Sequence, residues 1–194
     1  MLYTRKGDAG TTKTFGCNQR ISKSSAVAEA LGALDEINSL LGFLKVKSKR
    51  VEFKAGGQKI PNLLHWIQEG LFVAQAELAG APKTIFPAKV KEMERVVDEI
   101  EKVLPPIKTF FIPGGSELSA LFDYSRTVAR RAERRVIAAC LLVRSREAEE
   151  GGGGSAALGP HTLAFLNRLS SLLYALARLA NLKSGIKEQA PSYR

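Results

Sequence analysis

Cysteine and histidine are both scarce in this sequence, which contains two of each among its 194 residues. Cys17 and Cys140 are too few for a disulfide framework, and no CxxC motif is present. His65 and His161 stand in unrelated contexts, which argues against a catalytic triad or a histidine-rich metal site. Neither histidine has a glutamate three residues before it, as a ferritin-like di-metal centre would need.

Long apolar runs are missing as well. No stretch of about 18 apolar residues is present to form a transmembrane helix, and the opening MLYTRKGD lacks the apolar segment of a signal peptide. The composition, 45% hydrophobic and 25% charged, is typical of globular proteins. We therefore expect a single domain over residues 1–194, located in a reducing cytoplasm and not in a membrane.

Acidic residues are outnumbered, because 29 Lys and Arg face 19 Asp and Glu, giving a formal charge of +10. Such an excess suggests a polyanionic partner, which is a nucleic acid, an anionic lipid or a nucleotide. Most of the excess lies in the first 60 residues and in the segment SRTVARRAERRV at 125–136.

Five segments repeat apolar residues every three or four positions, which predicts five amphipathic helices. They span 26–45, 62–78, 88–104, 116–149 and 161–183, with Asn62 as the expected N-cap of the second. The first 25 residues are predicted to be an extended loop, and 185–194 a tail. GGGGS at 151–155 is either a mobile native loop or an engineered linker. The pattern predicts a helical bundle over 26–184.

The arginine segment divides on a helical projection. Arg131, Arg134 and Arg135 point away from the apolar stripe and are interpreted as solvated or interface residues. Arg126 falls inside the stripe, together with Glu133, and Arg130 borders it. An unpaired buried charge is expensive, so Arg126 needs an anion.

Asp35 on the first helix is the candidate anion, because it shares an arc with Leu34 and Asn38. We expect a buried Asp35–Arg126 ion pair. Since buried pairs stabilise proteins weakly, a positioning role is favoured over a plain salt bridge inside the bundle, which stays the alternative.

The fifth helix carries a polar seam of Asn167, Ser170 and Tyr174 along its apolar face. A buried Asn needs hydrogen-bond partners, and it either caps a neighbouring loop or holds a ligand. The opening TRKGDAGTTKTFG offers backbone amides, hydroxyls and Lys13 to a phosphate, although it does not have the spacing of a P-loop or of a dinucleotide-binding motif.

Six blocks together resemble a known family. They are YTRKGDAGTT (3–12), RISK (20–23), GALDEINSLLG (32–42), FFIPGGS (110–116), SRTVARRAERRV (125–136) and LNRLS (166–170). In this order they are similar to the PduO-type ATP:cob(I)alamin adenosyltransferases. The resemblance implies an all-α five-helix bundle that assembles as a homotrimer with active sites between neighbouring subunits. It also implies transfer of the 5′-deoxyadenosyl group of ATP to the cobalt of cob(I)alamin, with Mg²⁺.

The resemblance further implies roles for individual residues. Those expected to bind ATP are Thr4, Arg5, Lys6, Gly7, Asp8, Gly10, Thr11, Thr12, Lys13, Lys23, Arg126, Arg130, Glu133 and Asn167. Glu133 would also lie near the metal. Phe110 would pack under the corrin and expel its lower axial ligand, with Asn38 and Tyr174 as further corrinoid contacts. Asp35, Arg126 and Phe110 are the expected catalytic residues.

One position departs from the family pattern, since Ser171 stands where Asp commonly follows NRLS. A cobalamin reductase and a B12-dependent mutase are the expected protein partners. Two other functions remain open at this point. A nucleic-acid-binding bundle is disfavoured, because aromatics are not interleaved with the basic residues and the arginines partly face inward. A protein that stores or delivers adenosylcobalamin would need the same pocket.

Overall fold

The computed structural model describes residues 2–15, 20–150 and 158–193, so the GGGGS segment lies outside the described residues. Within these ranges the chain forms five α-helices and two short antiparallel hairpins, which confirms the predicted five-helix fold. The elements are β1 (Thr11–Thr12), β2 (Ile21–Ser22), α1 (Ala26–Lys47), β3 (Lys54–Ala55), β4 (Gln58–Lys59), α2 (Ile60–Leu78), α3 (Pro87–Glu101), α4 (Glu117–Glu150) and α5 (Pro160–Lys183). None of these helices is long and apolar enough to cross a bilayer.

Ion pairs and hydrogen bonds between helices define the direction of each one. Arg135 pairs with Glu29, and Lys47 pairs with Glu117, so α1 and α4 run antiparallel. Asn181, near the end of α5, contacts Ser116 just before α4, and Asn167 contacts Glu133 further along α4, so α5 is antiparallel to α4 as well.

The bundle therefore has two distinct ends. The N-terminal end contains residues 2–25 and the beginnings of α1, α3 and α5. The loop end contains the segment 102–116, which joins α3 to α4 and which we call the aromatic loop, together with the tail 184–193 that follows α5.

The buried face of α4 differs from the predicted one by about one residue. Its fully buried positions include Ser125, Ala132 and Val136, whereas Ile137 is 42% exposed and Arg126 only half-buried. Small side chains at these positions allow α1 and α5 to approach closely, so they take the centre of the interface. The expectation that Arg126 falls inside the apolar stripe is therefore wrong, because it lies at the margin of the buried face.

The start of α2 also differs from the prediction. The helix begins at Ile60 after Lys59, with a proline in its first turn, and Asn62 lies inside the helix rather than at its N-cap. Proline fits the first turn because its missing N–H has no helical acceptor there. The preceding hairpin turns at Gly56 and Gly57, whose φ values of 59° and 74° are those a tight β-turn needs.

Candidate active site

The aromatic loop is fixed to α5 by Asn181, whose amide is buried. The Asn181 Nδ2 donates to the Gly114 carbonyl at 2.9 Å, and the Ser116 N–H donates to its Oδ1 at 3.0 Å. Gly115 has a φ of 111°, and a Cβ at this position would collide with the Asn181 side chain. Only glycine combines this backbone conformation with such a close approach. The end of the loop is therefore held in one path.

A second contact holds the loop one turn earlier along α5. The guanidinium of Arg178 lies 5.0 Å from the centroid of the Phe111 ring and donates to the Pro105 carbonyl at 3.0 Å. It also binds Glu188 of the tail, through Nε and Nη2, at 2.8–3.0 Å. Phe110, by contrast, is 78% exposed. The loop thus packs the half-buried Phe111 against α5 and leaves Phe110 exposed.

A cleft of about 420 Å³ opens between the aromatic loop, α4 and α5. It combines aromatic groups, three arginines and two carboxylates. Its lining includes Phe110, Phe111, Asp123, Arg126, Arg130, Ser170, Ser171, Tyr174, Arg178 and Glu188. Four residues expected from the sequence, namely Phe110, Arg126, Arg130 and Tyr174, therefore lie in one cleft, and Ser171 lies in its wall.

Arg126 is oriented by two neighbours in this cleft. Its Nε lies 3.4 Å from Asp123 Oδ1, and its guanidinium carbon lies 5.8 Å from the centroid of the Tyr174 ring. Arg130, one turn further along α4, is exposed to solvent. The two arginines lie on the same side of α4 and offer positive charge along one wall of the cleft.

Burial raises the pKa of the Asp123 carboxyl above its ordinary value of 3.8, although Arg126 acts in the opposite direction. Burial likewise raises the pKa of Tyr174 above its ordinary value of 10.0. Around Asp123 and Tyr174 the cleft is therefore less well solvated than open surface, and charge–charge interactions there are stronger than in water.

The raised pKa predicts that Asp123 destabilises the folded protein increasingly as the pH rises. Because the folded state holds this proton more tightly than the unfolded state does, Asp123 lowers stability as the pH rises through its folded pKa. Asp123→Asn should remove that effect, so its stability relative to the parent protein should increase from about pH 4 to about pH 7. Urea unfolding at both pH values measures this, with the exposed Asp98→Asn as control. A relative stability that does not change with pH would contradict the assignment.

Glu133 and Asn167 meet at the far end of the groove between α4 and α5. The Asn167 Nδ2 donates to Glu133 Oε1 at 2.9 Å, and Arg168 donates to Asn167 Oδ1 at 2.7 Å. This pair continues the line of Arg126 and Arg130 along α4. Within the described ranges no three Asp, Glu, His or Cys side chains cluster as metal ligands. One carboxylate suits Mg²⁺ only when substrate phosphates and water supply the other ligands.

The N-terminal segment brings its expected phosphate-binding residues together. The Lys23 N–H donates to the Gly10 carbonyl at 2.9 Å, and its Nζ would lie 3.2 Å from a Cβ placed on Gly7. Arg20 binds the Thr11 hydroxyl at 2.7 Å and fixes β1 against β2. The segment therefore forms a compact turn with Lys23 beside the glycines.

This segment does not reach the cleft within one chain. It joins α1 at the N-terminal end, where the Phe15 carbonyl would lie 3.3 Å from a Cβ placed on Gly80 at the end of α2. None of its described residues lines the cleft. The residues that were expected to bind ATP thus form two separate groups. One is the N-terminal segment with Lys23, and the other lies along α4 and α5 at the cleft.

The Asp35–Arg126 pair that was expected to be buried is not formed inside the chain. Asp35 is exposed, because Leu34, Ile37 and Asn38 take the core-facing positions of α1. Arg126 pairs with Asp123 instead. The expectation of a buried Asp35–Arg126 ion pair inside one bundle is therefore wrong.

Asn38 lies away from the cleft as well. It is 4% exposed, its carbonyl accepts a hydrogen bond from Gln68 of α2, and its side-chain oxygen has no hydrogen-bond partner among the described residues. In this chain it occupies the α1–α2 interface. Its predicted contact with a corrinoid stays a prediction.

Four residues of the cleft region, Asp123, Arg178, Asn181 and Glu188, were missed in the sequence. The signal for two of them was present: Arg178 follows Tyr174 by four residues and Asn181 follows Arg178 by three, so both extend the polar seam of α5. Asp123 precedes Arg126 by three residues, the spacing of an ion pair along one helix. Glu188 lies in the tail, where no periodic pattern exists.

Comparison with known proteins gives a consistent result. The family model for cobalamin adenosyltransferases matches residues 2–180, which is most of the chain. The chain belongs to this family. The corrinoid adenosyltransferase MMAB of Mus musculus is 35% identical over 193 residues, covering 97% of this chain and 76% of the relative. The corrinoid adenosyltransferase of Bacillus subtilis is 34% identical, covering 95% and 89%.

Longer relatives and solved structures agree with this assignment. The corrinoid adenosyltransferase PduO of Citrobacter freundii is 33% identical over 177 residues, and this chain spans about half of its length (49%). A variant of the PduO-type ATP:corrinoid adenosyltransferase from Lactobacillus reuteri, solved with cobalamin and ATP, superposes with a TM-score of 0.81. It is 28% identical, and the match covers 99% of this chain and 97% of that one.

Proposed function

We propose that this protein transfers the 5′-deoxyadenosyl group of ATP to the cobalt of cob(I)alamin, forming adenosylcobalamin and triphosphate. The observation that carries the proposal is the cleft, which Arg126 and Arg130 line together with the exposed Phe110 in a chain of the cobalamin adenosyltransferase family. A corrinoid offers a large apolar ring to the aromatic loop, and triphosphate offers negative charge to the arginines.

The reaction requires the protein to position its two substrates and does not require a general base. The cobalt of cob(I)alamin supplies the electron pair of the new Co–C bond, the C5′–O bond breaks, and triphosphate leaves with the electrons of that bond. No proton has to be removed from the nucleophile. Arg126 and Arg130 would stabilise the charge that develops on the departing oxygen, and the half-buried position of Arg126 would strengthen its part of that effect.

The metal and the assembly belong to the same proposal. Mg²⁺ would be held by Glu133 and the ATP phosphates, and would neutralise charge on triphosphate. The separation of the N-terminal segment from the cleft supports a shared site, in which one copy supplies residues 4–13 and Lys23 and its neighbour supplies the cleft. A homotrimer provides such contacts by repeating one heterologous interface around a closed ring. A cytoplasmic location, a cobalamin reductase and a B12-dependent mutase complete the proposal.

The N-terminal segment should become protected when ATP binds. The entropy lost on ordering the segment around triphosphate would be offset by contacts of the phosphates to backbone N–H groups and to Lys23. Trypsin cleavage at Arg5 and Lys6 should therefore slow by about tenfold with saturating MgATP. Cleavage at exposed Lys102 serves as the internal reference. Equal cleavage rates at Arg5 and Lys6 with and without MgATP would contradict the prediction that the N-terminal segment binds ATP.

The deciding experiment is an anaerobic assay with MgATP and chemically reduced cobalamin. We expect the cob(I)alamin spectrum to convert to that of adenosylcobalamin, with triphosphate released in equal amount. Tight binding of adenosylcobalamin without any turnover would instead identify a storage or delivery protein. An unchanged corrin spectrum together with salt-sensitive binding of oligonucleotides would favour the nucleic-acid alternative.

A further inference from the structure

Arg178 is the one charged residue that is buried in the part of the chain that the structure describes, with 4% of its surface exposed. An isolated charge at such a position would be very unfavourable. Its pairing with Glu188 offsets the loss of hydration, yet buried ion pairs rarely contribute much net stability. The pair therefore needs a reason other than stability.

The contacts of Arg178 join α5 to two other segments, the aromatic loop and the tail. Pro105 lies at the beginning of the aromatic loop, Phe111 lies in its middle, and Glu188 lies in the tail after α5. Beside this junction the Ile112 N–H donates to the Gln189 carbonyl at 2.8 Å, a direct backbone link between loop and tail. Loop and tail are thus one unit, and Arg178 attaches that unit to α5.

The position of Phe110 depends on this unit. Its ring is 78% exposed, so packing of its own does not fix it, and its backbone lies between the contacts at Pro105 and Phe111. We propose that Arg178 is a positioning residue for the corrinoid half of the site: by holding the aromatic loop and the tail together, its guanidinium sets where Phe110 projects into the cleft. This inference rests on the proposed function.

Only arginine fits this junction. Its planar guanidinium offers a face to the Phe111 ring while its edges donate to the Glu188 carboxylate and the Pro105 carbonyl at the same time. Lysine would keep the charge but not the flat face or the forked donors. Charge alone is therefore insufficient, and Arg178→Lys becomes an informative substitution.

The test compares Arg178→Lys with the parent protein in both halves of the reaction. We expect the KM for cobalamin to rise about tenfold, while the KM for ATP changes less than about twofold. The fraction of bound cob(II)alamin that gives a four-coordinate spectrum should fall. Hydrogen exchange of the Ile112 amide should accelerate in the free protein, a readout that needs no activity. Arg95→Lys, an exposed arginine paired with Glu92 and Glu99 on α3, is the matched control.

Two further variants keep the inference testable if Arg178→Lys does not fold. Glu188→Gln and Phe111→Leu each remove one contact of the guanidinium and leave Arg178 in place, and both should show the same selective rise in the KM for cobalamin. An unchanged KM and spectrum in the folded variants would overturn the role of Arg178. Absence of adenosyl transfer in the parent protein would overturn the proposed function instead, and the exchange of Ile112 would still report on the loop.

Discussion

Two variants that are inactive alone should recover adenosyl transfer when they are combined in one assembly. Lys23→Ala removes a cation from the N-terminal segment, and Arg130→Ala removes one from the cleft. Each should lower kcat/KM by about a hundredfold or more, because each withdraws a charge that the proposed site uses to bind triphosphate. Neither side chain has an ion-pair partner among the described residues, so both variants should fold normally.

The expected recovery has a definite size. If each site combines the N-terminal segment of one copy with the cleft of its neighbour, every mixed trimer has both halves intact in one of its sites, which is about a third of the sites. Co-expression with two different tags and purification through both gives the mixed assemblies. The activity per site of these mixed assemblies should then be about a third of the parent value, against almost none for either variant alone.

A matched control uses two variants of the same half. Assemblies of Lys23→Ala with Lys13→Ala should stay inactive, because every site then receives an altered N-terminal segment. Recovery in this control would mean that the loss arises from assembly rather than from the site. No recovery in the Lys23→Ala and Arg130→Ala mixture would place the whole site within one chain and would contradict the shared site.

The sequence predicted the helices well because their signal is local. Apolar residues recur every three or four positions in each of the five segments, and this periodicity survives whatever packs against the helix. The observed bounds differ from the predicted ones by at most three residues, as with α3, which ends at Glu101 rather than at 104. The hairpin at Gly56 and Gly57 was missed, since strands of two residues carry no period.

The site was harder to predict because its geometry depends on neighbours. The projection of α4 placed Arg126 and Glu133 toward the core, but small residues at 125, 132 and 139 decided which face is buried. Asp35 has the chemistry of a partner for Arg126, yet its position on α1 directs it outward. Periodicity gives the relative angle of residues on one helix, and it does not give the angle of that helix to the next one.

The tail shows a different limit. Glu188 completes the buried junction at Arg178, but it stands in KEQAPSYR, a segment with neither apolar period nor recognised motif. The sequence does contain the matching half of the junction, because an arginine amid the apolar residues of ALARLAN requires an anion. That requirement predicts a carboxylate close to Arg178 in the folded structure, but it does not indicate which acidic residue of the chain supplies it.

Removing the ring of Phe110 should have the largest effect on the step that begins from cob(II)alamin. Two adjacent phenylalanines could simply cover the end of the bundle, but the structure separates them. Phe111 packs against Arg178, whereas Phe110 is exposed at the cleft. An exposed aromatic held beside a site for a corrinoid can occupy the space beneath the ring, where water or the nucleotide tail would otherwise bind cobalt.

The expected kinetics follow from the electronic effect of that axial ligand. A ligand below cobalt raises the energy of the orbital that accepts the electron, so Co(II) without it is easier to reduce to Co(I). Phe110→Ala should slow turnover from cob(II)alamin with a mild reductant by about a hundredfold, which equals about 2.7 kcal/mol of barrier. The loss should be smaller with cob(I)alamin supplied already reduced, because that step is bypassed. The KM for ATP should change little, since no phosphate contact is removed.

Spectroscopy of bound cob(II)alamin in the presence of MgATP distinguishes this role from simple packing. In the parent protein we expect a four-coordinate signal, and in Phe110→Ala a five-coordinate one, because water reaches the vacated space. Phe86→Ala, which truncates a phenylalanine that is 72% exposed at the other end of the bundle, should keep the parent signal. A four-coordinate signal that survives in Phe110→Ala would assign the exclusion of the axial ligand to another residue of the aromatic loop, with Phe111 the next one to substitute.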